Sequence, residues 1–82
     1  MNILVTGSSG WLGQHLVPRL RRDGHTVVGL DPEPGATTTV VGSVVDRALV
    51  RSTIREHGIG AIVRSEEHTS ELQSRVDISY AV

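Results

Sequence analysis

The residues of this chain whose types and spacing could do chemistry are three glycines and one acid. Gly7, Gly10 and Gly13 stand in the run Thr6-Gly7-Ser8-Ser9-Gly10-Trp11-Leu12-Gly13, a GxxGxxG pattern. A pyrophosphate needs backbone N–H groups at close range and the positive end of a helix dipole, and a helix opening near Gly10 offers both. In this reading Gly7 permits the tight turn, Gly10 lets the backbone approach the phosphates with no Cβ in the way, and Gly13 allows close packing of helix on strand. Asp31 follows about 20 residues on, at the spacing where a carboxylate accepts both hydroxyl protons of an adenosine ribose. The same acid favours NAD over its 2′-phosphate, because a second negative charge would meet Asp31 with no basic residue immediately beside it. Ordinary turn glycines are the plain alternative, but three at this spacing would cost helix stability for nothing. A GxxxxGK[ST] phosphate loop is excluded: the chain has no lysine, and Gln14 follows Gly13.

The elements that must position these groups can be read from the hydrophobic pattern. Ile3, Leu4 and Val5 form a short apolar run ended by Thr6-Gly7, which suits a strand over residues 2–6 buried on both faces. From Trp11 onward Leu12, Leu16, Val17 and Leu20 recur at helical spacing opposite Arg19, Arg21, Arg22 and Asp23, with Gly24 as the stop and Pro18 expected to bend the axis. Residues 25–31 read as a second buried strand, Pro32-Glu33-Pro34-Gly35 as a turn, and the β-branched run 37–41 as a third strand. Asp46 then caps a second helix, in which Leu49, Val50 and Ile54 oppose Arg47, Arg51 and Arg55, with Gly58 closing it. Residues 60–63 give a fourth strand. Right-handed crossovers put the two helices on opposite faces of a parallel sheet with spatial order 3-2-1-4. The expected fold class is therefore α/β, a partial Rossmann fold (a doubly wound parallel sheet) truncated after its fourth strand.

Composition narrows the function classes. A net charge of −1 gives no attraction to nucleic acid or anionic lipid, and Trp11 and Tyr80, the two aromatics, leave little material for stacking on bases. There is no cysteine, which rules out disulfides and thiolate metal sites and fits a reducing compartment. No apolar run approaches the length of a membrane span, and Met1-Asn2-Ile3 lacks the basic flank of a signal peptide, so a soluble cytoplasmic location is expected. His15, His25, His57 and His68 share no spacing that would place two on one face, so they read as surface residues and no metal is expected.

With these residues in view, positions 1–63 resemble the start of an extended short-chain dehydrogenase/reductase of the NAD-dependent epimerase/dehydratase family. The Thr6-Gly7-x-x-Gly10-x-x-Gly13 form carries the likeness. The resemblance implies that the backbone at Trp11 and Leu12 contacts the pyrophosphate. It also aligns Gly42-Ser43-Val44-Val45-Asp46 with a Gly-Asp-apolar-x-Asp segment that contacts adenine, Ser43 standing where an Asp is usual. The implied cofactor is NAD, and the implied chemistry of an intact member is hydride transfer with a Tyr-x-x-x-Lys pair as acid or base. Tyr80 is no candidate for that tyrosine, because its lysine would fall beyond residue 82. The chain is thus expected to be an inactive NAD-binding half of an epimerase, dehydratase or oxidoreductase. A non-catalytic dinucleotide-sensing or interaction module is the alternative.

From Arg64 the character of the sequence changes. Residues 64–75 hold one apolar residue, Leu72, and the net charge passes from +1 over residues 1–63 to −2 over residues 64–82. Ser65, Glu66, Glu67 and Glu71 read as a solvated charge run. Arg64–Ser74 resembles the conceptual translation of a sequencing adapter, so residues 64–82 are expected to be a non-family tail, artefactual or disordered, in which residues 76–82 could form a weak strand. The expected domain is 1–63.

Overall fold

The computed structural model describes the backbone of residues 1–67 and 74–80 and the side chains of residues 1–65. His68 and Glu71 lie outside the described residues, and Glu66, Glu67 and Tyr80 are described by strand position alone. In chain order the elements are β1 (Asn2–Thr6), α1 (Trp11–Arg22), β2 (Thr26–Asp31), β3 (Val40–Val41), α2 (Arg47–His57), β4 (Ala61–Glu67) and β5 (Ser74–Tyr80). They form a single sheet in the order β3-β2-β1-β4-β5. The first four strands are parallel, with Leu4 opposite Val28 on one side and Ile62 on the other, as the pattern of short apolar runs requires.

Side-chain alternation along the strands divides the core into two layers. Ile3, Val5, Val27, Ala61 and Val63 face α1 and pack with its Val17, Leu16 and Leu20. Leu4, Val28 and Leu30 point the other way, with Ile59, toward Leu49, Val50 and Ile54 of α2. Leu4, Val5, Val17 and Leu30 are fully buried, each worth about 1.5–3 kcal/mol of apolar transfer. The helices therefore cover opposite faces, and the chain changes direction beside β1. That is the switch point at which open α/β sheets leave a crevice at the carboxyl ends of their strands.

Helix ends follow the capping residues. Asp46 Oδ1 accepts the Leu49 N–H at 3.1 Å, and Gly58 closes α2 in the left-handed region with φ +59°. Asn2 donates its side-chain amide to the His57 carbonyl at 2.8 Å, tying the start of β1 to the end of α2. α1 runs unbroken through Pro18, which is exposed, so the carbonyl deprived of its N–H partner lies on the side of the helix that water reaches.

Two elements depart from expectation. β3 spans Val40–Val41 alone rather than residues 37–41, because Thr37 and Thr38 turn their hydroxyls onto the glycine loop. β4 does not end at Val63 but continues to Glu67 and pairs antiparallel with β5, from Ala61 opposite Tyr80 to Glu67 opposite Ser74. The outer side of β4 is thus paired instead of open.

Candidate functional site

Where β1 ends, the backbone bends sharply: Gly7 adopts φ +74°, in the left-handed region, and its N–H donates to the Leu30 carbonyl at 2.9 Å. A Cβ at Gly7 would collide with the Ser65 carbonyl oxygen of β4. Gly13 faces the same loop from α1, and a Cβ there would come within 2.7 Å of the Ser8 Cα. The turn and the helix are thus pressed together, and against β4, without room for side chains at Gly7 and Gly13. Gly10 differs: as N-cap of α1 it has φ −72° and ψ 171°, which any residue adopts, so nothing in its own backbone conformation demands glycine.

Asp31, the last residue of β2, meets this loop directly. It is 9% exposed, and its carboxylate accepts the Ser9 N–H on Oδ2 at 3.1 Å and the Glu33 N–H on Oδ1 at 2.8 Å. A carboxylate has about four acceptor positions, so two bonds fix its orientation and leave capacity on both oxygens. The ends of β1 and β2 thus bring Asp31 against the glycine loop at Ser9, between Gly7 and Gly10, and α1 opens from that loop with Trp11, Leu12 and Gly13. The Gly42 N–H donates to the Asp31 carbonyl at 3.0 Å, so Ser43 and Val44 follow directly after the pairing of β3 with the end of β2. Ser43 Oγ accepts the Val45 N–H at 3.2 Å, so its proton stays available to a second acceptor. Val44 and the Trp11 side chain are exposed, and the Trp11 ring leans on His15 with centroids 4.7 Å apart.

Several residues of the site escaped the sequence reading. Ser8 is fully buried with its Oγ 2.6 Å from Thr38 Oγ1, and Thr37 donates to the Ser8 carbonyl at 2.6 Å. Ser9 Oγ donates to the Glu33 carbonyl at 2.6 Å and lies 2.5 Å from Thr38 Oγ1. These bonds strap residues 33–38 across β2 at Gly29, where a Cβ would come within 2.7 Å of Ser8 Oγ. A glycine inside an apolar strand signals such a close backbone approach and was the available clue. Between the strap and Ser9 and Gln14 of α1 opens a cleft of about 480 Å³. Among the described residues, no three of the acid, histidine or cysteine kind gather into a metal site, and no helix is long and apolar enough to cross a membrane.

A family model, that of the NAD-dependent epimerase/dehydratase family, matches residues 3–79. The chain belongs to the NAD-dependent epimerase/dehydratase family. It is 33% identical over 78 residues to a UDP-glucose 4-epimerase of Erwinia amylovora, an alignment covering 77% of this chain and 23% of that protein. A UDP-glucose 4-epimerase of Mycolicibacterium smegmatis is 61% identical over 31 residues, 38% of this chain and 10% of the relative. Protein CapI of Staphylococcus aureus is 48% identical over 31 residues, 38% of this chain and 9% of its own length. The chain therefore spans less than a quarter of the curated relatives it matches. No solved structure matches it significantly. The family's description implies a nicotinamide dinucleotide cofactor.

Proposed function

We propose that this chain binds the adenosine diphosphate half of NAD. The observation that carries the reading is the Asp31 carboxylate, fixed by the N–H groups of Ser9 and Glu33 beside the glycine turn. In this reading Gly7 makes the turn, Gly13 lets the helix pack on it, Gly10 admits the pyrophosphate, and the first-turn backbone at Trp11 and Leu12 faces it. Asp31 accepts the ribose hydroxyls, while Ser43 and Val44 border the adenine. NAD, when bound, supplies a hydride acceptor. The chain's own residues hold and orient the adenosine end, and the crowded, acid-flanked ribose position disfavours a 2′-phosphate.

The relatives' names point to epimerisation of a nucleotide sugar as the reaction of the whole protein, with residues 1–63 as its cofactor-binding portion. Within these 82 residues there is no lysine to pair with Tyr80, so the chain is expected to bind without turnover. Calorimetric titration with NAD, ADP, NADP and nicotinamide mononucleotide tests the proposal. NAD and ADP should bind comparably, NADP more weakly, and the mononucleotide not measurably. Equal binding of NADP, or failure of ADP to bind, would refute it.

A further inference from the structure

The hydroxyls beneath the ribose site form a chain whose direction can be derived. Each hydroxyl has one proton to give. Ser9 Oγ donates its proton to the Glu33 carbonyl at 2.6 Å, so at the 2.5 Å contact between Ser9 Oγ and Thr38 Oγ1 the donor is Thr38. Thr38 then has none left for Ser8 Oγ at 2.6 Å, so there the donor is Ser8. The chain runs one way, from fully buried Ser8 through Thr38 and Ser9 to the Glu33 carbonyl, and hydroxyls aligned in this way strengthen one another.

Its last two members are the two that hold the carboxylate. Ser9, whose hydroxyl lies within the chain, gives its N–H to Asp31 Oδ2, and Glu33, whose carbonyl ends it, gives its N–H to Oδ1. Thr38 touches neither Asp31 oxygen, yet it joins the serine pair of the glycine loop to the strap. We infer that Thr38 is a positioning residue for recognition of a ribose diol: through Ser9 and Glu33 it sets the orientation in which Asp31 meets the two ribose hydroxyls. The inference rests on the reading of Asp31 as the ribose anchor, and it adds a determinant outside the glycine loop and the acid themselves.

The test compares ADP with 2′,3′-dideoxy-ADP, which lacks both hydroxyls, as ligands of the full chain. Thr38→Val should weaken ADP binding about three- to tenfold, the scale of one hydrogen bond lost, and leave the dideoxy ligand within about twofold of its wild-type affinity. Thr38→Ser should restore the ADP value. Ser8→Ala, which removes the head of the chain and leaves the Thr38 side chain in place, should shift the ADP-to-dideoxy ratio in the same direction, and it carries the test if Thr38→Val does not fold. Equal losses for both ligands would show a merely structural threonine and overturn the inference, as would an unchanged ratio in Ser8→Ala. A wild-type chain that binds ADP while both variants match it defeats this inference alone. A wild-type chain that binds neither NAD nor ADP defeats the proposed function and this inference with it.

Discussion

Replacing Asp31 by Asn separates what the carboxylate does for the fold from what it does for a ligand. In the native chain Oδ1 and Oδ2 each accept a backbone N–H, from Glu33 at 2.8 Å and from Ser9 at 3.1 Å. An amide of the same shape keeps one oxygen and turns an NH₂ group toward the other N–H. One part-buried donor is therefore left without an acceptor, at a cost of about 1–3 kcal/mol to stability. The effect on NAD is separate. Loss of charge-assisted ribose bonds removes about 1.5–3 kcal/mol, or roughly ten- to 150-fold in Kd. Because the negative charge is gone, NADP should lose less affinity than NAD, so the preference between them narrows. Calorimetry on wild type and Asp31→Asn gives both dissociation constants, and urea unfolding gives the stability term. A folded variant whose NAD affinity stays within twofold of wild type would refute the reasoning and move the ribose elsewhere.

Three further substitutions probe the scaffold. Gly7→Ala combines a left-handed φ with a collision against the Ser65 carbonyl, so it should lower stability by more than about 2 kcal/mol in urea unfolding and abolish NAD binding. Ser65→Ala should act in the opposite sense: Ser65 Oγ is buried with no hydrogen-bond partner among the described residues, and its removal should raise stability by about 1 kcal/mol, read as a higher urea midpoint. Asp46→Ala removes the cap on the Leu49 N–H and should cost about 1 kcal/mol with NAD affinity unchanged, which circular dichroism and calorimetry can establish together.

Much of the architecture was legible because burial on both faces of a parallel sheet leaves an unmistakable mark. Ile3-Leu4-Val5 and Val27-Val28 are apolar without alternation. Asp46 and Gly58 announced the ends of α2 through their own side-chain and backbone chemistry. The threonine run 37–39 misled for a physical reason. β-Branched residues favour strands, but a hydroxyl can also bond nearby backbone and side chains, and here the glycine loop offered better partners than a sheet. The continuation of β4 into Arg64–Glu67 and its pairing with β5 left no local trace either, since that pairing is set by a neighbouring strand and not by periodicity in residues 64–75. Of the site, Asp31 and the three glycines were visible from spacing, whereas the serine and threonine hydroxyls that orient the acid became visible only when the strap crossed Gly29.

A ligand held by the glycine turn and Asp31 is felt first by the backbone amides around it. Titrating NAD into isotopically labelled chain and following amide resonances should give saturable shifts concentrated at Ser9 to Gly13, Asp31, Glu33 and Ser43–Val44. The amides of Arg51 to His57, in the C-terminal half of α2, should remain nearly still. Shifts confined to α2, or none that saturate at millimolar NAD, would contradict the claim that the glycine turn and Asp31 form a dinucleotide site.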